Sequence, residues 1–257
     1  MQAVEEVSLE KVEPLDAEAL FHWAHENYGE RAAEAIEEVI LRERAGIITS
    51  FQDTGCVMID LAQRVAPGLR VITVDTLRLH AETYALMDAI EKRYGIQIER
   101  YQPDPEHLQR MIKQHGEYLF FDSKEKQEYC CTVRKVDPNQ RALATLDVWF
   151  TGLRRDQSEF RKATPKVSRI AQPSGRKLLK IAPLADWTQE MVDAYIREHD
   201  LPKNALYDQG YTSIGCIICT TPTLPGEDKR AGRWRWFNQF HKGDKKECGI
   251  HIHGAGI

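Results

Sequence analysis

The chain is predicted to be an α/β protein built on an open, mostly parallel twisted sheet with helices on both faces. It is read as a single domain that ends in a mobile C-terminal tail. Three observations predict this. Short β-branched runs alternate with longer segments of helical periodicity, in the order strand, helix, strand, helix, strand, helix. Each run is closed by a turn rich in Gly, Pro or Asp. A length of 257 residues with 42% hydrophobic side chains can bury one sizeable core.

Asp16 to Arg44 reads as two helices, or one broken near Asn27-Tyr28-Gly29, with Leu20, Trp23 and Ala24 on one stripe and Ile36, Val39 and Ile40 continuing it. Residues 46–51, Gly-Ile-Ile-Thr-Ser-Phe, form a buried strand, and Val57 to Val65 a helix stopped by Pro67-Gly68. Residues 69–75 give a second strand, Ala81 to Tyr94 a helix closed by Gly95, and residues 96–101 a third, alternating strand. Pro105 opens the next helix. The stretch 121–143 is helical, residues 146–151 are a strand, and Leu178 to Ala182 reads as an edge strand. Trp187 to His199 is an amphipathic helix with Trp187, Met191, Val192, Tyr195 and Ile196 on one face, capped by Asp186 or Thr188. The chain divides into N-terminal helices over 1–44, a nucleotide-binding α/β body over 45–225 and a tail over 226–257.

The formal net charge is −4, so bulk electrostatics proposes neither nucleic acid nor membrane as a partner. No apolar run approaches the ~20 residues of a membrane span. The N-terminus is acidic and lacks the apolar core of a signal peptide. Six cysteines are too few for a secreted disulfide scaffold, and together these features place the chain in a reducing cytoplasm.

Four of the six cysteines fall in two tight pairs, Cys130-Cys131 and Cys216-Ile-Ile-Cys219. Zinc prefers C-x₂₋₄-C on both sides, because each pair must bend around one ion. The first pair has no spacer, whereas an iron–sulfur cube offers a separate corner to each thiolate. A [4Fe–4S] cluster is therefore favoured; zinc, structural thiols and a redox C-x-x-C are the alternatives.

In parallel sheets ligands bind at the carboxyl ends of strands. Ser50-Phe51-Gln52-Asp53-Thr54-Gly55 lies at one such end and can present backbone N–H groups to a phosphate, though alone it is more often just a turn. Asp75-Thr76-Leu77-Arg78 lies at the next, and Thr151-Gly152-Leu153-Arg154-Arg155 follows a further strand with paired arginines suited to anions. Arg230, Arg233 and Arg235 among Trp234, Trp236 and Phe237 can stack bases, clamp an anion or pack on the body. Cys248 has His251, His253, Lys245 and Lys246 nearby, all of which favour thiolate.

Taken together, SF at 50–51, VDTLRLHAETY at 74–84, CCTVRKVDP at 130–138, TGLRRDQS at 151–158, DWT at 186–188, CIIC at 216–219, GRWRWF at 232–237 and ECGIH at 247–251 resemble the assimilatory adenylylsulfate (APS) reductases. These are relatives of phosphoadenylylsulfate (PAPS) reductase in the adenine nucleotide α-hydrolase-like, or PP-loop, superfamily. Two motifs depart from the family pattern: the Gly- and Ser-rich phosphate loop is here Gln52-Asp53-Thr54-Gly55-Cys56, and LDTGR is VDTLR, with Leu77 for glycine. The resemblance implies a [4Fe–4S] cluster on Cys130, Cys131, Cys216 and Cys219. It implies substrate binding by Ser50, Phe51, Asp75, Arg78, Lys135, Gly152, Arg154, Arg230, Arg233 and His251. It implies attack on the sulfate sulfur by catalytic Cys248, release of AMP and an S-sulfocysteine. Regenerating Cys248 needs a second thiol, which points to thioredoxin or a similar dithiol protein. PAPS reduction by the same mechanism, an iron–sulfur tRNA-thiolating enzyme and a zinc-bound nucleotide module are the rival readings. Whether the chain forms a homo-oligomer is not legible.

Overall fold

A computed structural model describes residues 13–28, 44–172 and 175–238. The elements are α1 (Ala17–Tyr28), β1 (Ala45–Ile48), α2 (Asp53–Val65), β2 (Arg70–Val74), α3 (Ala81–Tyr94), β3 (Ile98–Tyr101), α4 (Pro105–His115), α5 (Lys124–Cys131), α6 (Asp137–Ala144), β4 (Val148–Phe150), β5 (Val167–Ala171), β6 (Lys177–Ile181), α7 (Gln189–Glu198) and a last short helix, α8 (Arg235–Asn238). The strands form one sheet in the order β3-β2-β1-β4-β6-β5. Every neighbouring pair is parallel except β5 with β6. The expected open, mostly parallel sheet is therefore present.

Strand order explains where the helices lie. Moving β1 to β2 to β3 in one direction by right-handed crossovers puts α2 and α3 on the same face. There Val57, Met58, Ile59, Leu86, Met87 and Ile90 bury against Ile47, Val71 and Ile98, and α1 adds Phe21, stacked on Phe150 at 4.7 Å between ring centroids. The return to β4, on the other side of β1, carries α4 to α6 over the opposite face, where Ala142, Leu143 and Leu146 cover Ile48, Ile72, Trp149 and Leu178. The direction of winding reverses between β1 and β4, the place where such sheets open a crevice.

Several boundaries follow from local chemistry. Gly95 ends α3 in the left-handed conformation, φ 64°. Asp104 caps α4 ahead of Pro105 by accepting from the N–H groups of Glu106 and His107. Thr188 caps α7 through Met191 N–H, settling the choice between Asp186 and Thr188. A Cβ on Gly55 would lie 2.0 Å from Thr49 Oγ1, so only glycine lets the first turn of α2 sit on the end of β1.

Two expectations need correction. Leu178–Ala182 is not an edge: β6 is flanked by β4 and β5, and the antiparallel edge is Val167–Ala171. That edge escapes the eye because only Val167 in Val-Ser-Arg-Ile-Ala is buried, so it carries no apolar run, while Leu178–Ile181 in β6, an interior strand, are all buried. Met191 is 45% exposed and does not share the buried face of Val192 and Ile196. The second half of the predicted N-terminal helical stretch lies outside the described residues, as do Cys248 and His251. Among the described residues no helix is long and apolar enough to cross a membrane.

Candidate active site

A cavity of about 530 Å³ opens at the reversal point. Its floor is the end of β1 and the first turn of α2, with Ser50, Gln52, Asp53, Thr54 and Gly55. Gly152 and Arg154, after β4, form one wall; a Cβ on Gly152 would meet Thr54 Cγ2 at 3.2 Å. Lys135, Arg230 and Arg233 also line it. Thus Ser50, Lys135, Gly152, Arg154, Arg230 and Arg233 are brought together from distant parts of the sequence.

Three other positions serve differently. Phe51 has φ 55° and buries its ring in the core, so at this position only backbone is left for the cavity. The Asp75 carboxylate accepts from Leu77 N–H at 2.9 Å, Tyr84 Oη at 2.7 Å and Gln102 Nε2 at 3.0 Å, which fixes the turn after β2. Leu77 in that turn has φ 59°, a conformation that glycine adopts without cost and leucine does not. Arg78 faces away from the cavity: it donates to Glu117 O at 3.0 Å and lies over the Phe120 ring at 5.1 Å.

Arg78 instead lines a small second chamber with Arg134, Lys135, Gln127, Cys130, Cys131, Cys216 and Cys219. Lys135 belongs to both cavities. The first cysteine pair ends α5, which runs into a π-helical turn, Thr132–Val136, a feature often found at functional sites. This turn aims Arg134 inward, where its Nη1 donates to Thr76 O at 2.8 Å. The second pair rides a short 3₁₀ turn, Ile217–Cys219, tied to the turn after β2 by Ile217 N–H donating to Arg78 O at 2.8 Å. Gln127 Nε2 donates to Cys131 Sγ at 3.3 Å, and Cys216 Sγ donates to Thr76 Oγ1 at 3.3 Å.

All four thiols are buried and none of them is in a disulfide. Burial pushes the Cys219 thiol up to about 12, with Cys216 adding to it. Burial also raises Cys130, against the opposing pull of Arg134. Such thiols ionise only when a cation stands beside them. Among the described residues no group of three or more His, Cys, Asp or Glu side chains is set to hold a single metal ion.

Arg233, which lines the strand-end cavity, is held from two sides. Its Nη1 donates to Ile214 O at 3.1 Å and its guanidinium lies over Trp234 at 4.7 Å. Gly215 makes this possible, since a Cβ there would sit 2.4 Å from Arg233 Nη2. Trp234 is buried and its backbone N–H donates to Cys219 O at 3.1 Å, so this segment packs on the body. Sequence reading missed Gln157, Gln189, Asp193, Tyr207 and Tyr211, which also line the cavity. Gln157 sits in the motif at 151–158 but was not singled out, and the other four lie outside the motifs, on α7 and the loop that follows it.

Fold and cavities define an open α/β protein with a cation-walled site at the strand ends, backed by a chamber of four thiols. Residues 45–222 match the phosphoadenosine phosphosulfate reductase domain, and the chain belongs to that family. It is 42% identical over 225 residues to an adenosine 5′-phosphosulfate reductase of Allochromatium vinosum, covering 86% of this chain and 85% of the relative. It is 43% identical over 182 residues to one of Burkholderia cepacia, covering 71% and 70%. A phosphoadenylyl-sulfate reductase of Candida auris, solved as a phosphate complex, superposes with a TM-score of 0.65 at 26% identity, over 84% of this chain and 98% of that one.

Proposed function

We propose that this chain reduces adenosine 5′-phosphosulfate to sulfite and AMP, as the printed names of its curated relatives indicate for them. The observation that carries this reading is the shared lining: Lys135 lines both the strand-end cavity and the thiol chamber, and Arg230 and Arg233 line the strand-end cavity with it. Three cations are what a thiolate needs in order to attack an already anionic phosphosulfate, because they stabilise the charge that accumulates.

In this reading the adenosine lies against the ends of β1, β2 and β4, and the phosphosulfate faces Lys135, Arg230 and Arg233. His251 joins them from the C-terminal segment. Cys248 is the nucleophile. Its thiolate forms a bond to the sulfate sulfur, the bond from that sulfur to the bridging oxygen breaks, and AMP leaves with the electron pair. The product is an S-sulfocysteine. A thiolate of an external dithiol protein, of the thioredoxin kind, then attacks Cys248 Sγ. Sulfite leaves, a mixed disulfide forms, and the donor's second thiol resolves it. The two electrons come from that dithiol. Cys56 does not serve in its place, because it is fully buried in α2 and burial holds its thiol far above the ordinary range.

The donor set suits a [4Fe–4S] cluster. Four thiols face one chamber without converging on a single-ion position, and Arg78, Arg134 and Lys135 offset the negative charge such a group would bring. Cys130, Cys131, Cys216 and Cys219 would hold it. When bound it would supply an electrostatic field and a tie between the two segments that carry the cysteines. Localisation in the cytoplasm fits the reduced thiols.

A single turnover with APS and no reductant tests the reading. AMP is expected in stoichiometric amount, with sulfite retained on the protein until thioredoxin is added. Cys248→Ser is expected to bind nucleotide and release neither product. Immediate release of free sulfite, or wild-type turnover by Cys248→Ser, would refute the mechanism.

A further inference from the structure

We propose that Glu227 and Arg235 act as one clasp that presets the anion-binding arginines of the cavity, which makes both of them positioning residues for the phosphosulfate. This rests on reading the cavity as an adenylylsulfate site and adds two residues that lie outside its lining.

Lys229, Arg230 and Arg233 line the cavity, and all three come from one loop, residues 220–235, which leaves Cys219 and ends at α8. Like charges on one loop repel one another, so the loop spreads unless something closes it. Backbone closes its base. Thr220 forms a bridge with Arg233, and Thr221 N–H donates to Gly232 O at 2.9 Å. A Cβ on Gly232 would lie 2.1 Å from Thr221 O, so the base admits no side chain there.

Side chains hold the tip. Glu227 Oε1 and Oε2 accept from Arg235 Nη1 and Nη2 at 2.7 and 2.8 Å, a two-pronged fork. The same two groups also reach the start of the loop. Arg235 Nε donates to Thr221 Oγ1 at 3.0 Å and Nη2 to Pro222 O at 2.9 Å, while Leu224 N–H donates to Glu227 Oε2 at 2.8 Å. One guanidinium thus joins the start, the tip and the end of the loop. Asp228, next to Glu227, accepts from Arg230 N–H at 2.9 Å, which passes the position of the tip on to Arg230.

An isolated surface ion pair contributes little. This pair is forked, tied to three further residues, and only 25% and 27% exposed. Arg154, also in the cavity lining, is set in a comparable way: its Nε faces Asp156 at 3.1 Å and its Nη2 donates to Gln189 Oε1 at 2.7 Å. Guanidinium groups fixed before an anion arrives are what preorganised charge stabilisation requires.

The sign of one substitution separates the clasp from simple charge. Glu227→Gln removes a negative charge from the loop that carries the cations, so bulk electrostatics predicts tighter binding of APS. Loss of the clasp predicts weaker binding, because the loop must then be ordered by the ligand. Calorimetric titration of the full chain with APS and with AMP reads this out, in a Cys248→Ser background that does not turn APS over. Glu227→Gln is expected to weaken APS by about fivefold or more, and AMP less, since AMP lacks the sulfate that the cations face. Arg235→Gln should do the same, and the double variant should lose no more than either alone. Arg235→Lys keeps the charge without the fork and should still bind APS more weakly than the parent. Iron content should match the parent throughout. Tighter or unchanged APS binding by Glu227→Gln, additive losses in the double variant, parental affinity in Arg235→Lys, or a loss of affinity seen only with loss of iron would each overturn the clasp while leaving the nucleotide site standing. Failure of the folded parent to bind APS and AMP would overturn the reading of the cavity as well.

Discussion

At the scale of single residues, the site is held by side chains placed at a cost to stability. Asp53 is one. Burial, then the neighbouring Asp193, lifts its carboxyl from the ordinary 3.8 to about 6. Between those values the folded protein holds a proton that the unfolded chain has lost. Stability therefore falls as pH rises through this window and stays lower above it. Asp53→Asn carries no such penalty. It is expected to exceed wild type in stability at pH 7.5 by at most about 3 kcal/mol, and to lose most of that margin by pH 4.5. Urea denaturation midpoints at the two pH values measure it, and a margin independent of pH would contradict the account.

Gly215 is another. The space a Cβ would need is filled by the Arg233 guanidinium. Gly215→Ala is expected to displace Arg233 from Ile214 O and Trp234, lowering kcat/KM for APS by about tenfold or more, since a cation facing the phosphosulfate is moved. A thermal midpoint close to wild type would show that the loss belongs to the site and not to folding.

At the scale of elements, α7 matters for what it carries. Its Gln189 and Asp193 line the cavity, and Val192 and Ile196 anchor it on the core. Thr188 fixes its start by accepting from Met191 N–H at 3.3 Å. Thr188→Ala is expected to cost about 1 kcal/mol by chemical denaturation. It should also raise the KM for APS, because fraying begins at the residue that holds Arg154. A stability loss with KM unchanged would show that the first turn is held by other contacts. The π-helical turn at Thr132–Val136 plays the matching part on the opposite wall, since the same short segment follows the thiol pair and holds Arg134 and Lys135.

At the scale of the whole molecule, the two cysteine pairs come from separate segments, one on α5 and one on the turn before α8. A group bound by all four thiols would tie these segments together and so fix Lys135, which lines both cavities. Cys216→Ser is therefore expected to lose about four irons per chain and the broad absorption near roughly 400 nm. It should also bind AMP more weakly, although its thiol lies in the second chamber. Iron content, absorbance and AMP titration read this out. Full retention of iron in the variant would remove Cys216 from the ligand set.

Much of this was legible in the sequence. The alternation of strands and helices, the turn glycines and prolines and the helix caps are local signals, because they depend on backbone preferences over a few residues. The two cysteine pairs and the motifs around Ser50, Gly152 and Arg233 were legible because their residue types are chemically unusual together. Tertiary structure alone decided which elements became neighbours. β6 looked like an edge until β5 paired beside it. Phe51 and Asp75 belong to motifs at the strand ends, yet one ring fills the core and the other carboxylate holds a turn. Arg78 went to the thiol chamber, and Gln189 and Asp193 came to the cavity with no motif to announce them. The division has a physical cause. Local preferences are written in adjacent residues, whereas which side chain a cavity receives depends on strand order, register and crossover hand, which bring together residues separated by a hundred positions or more.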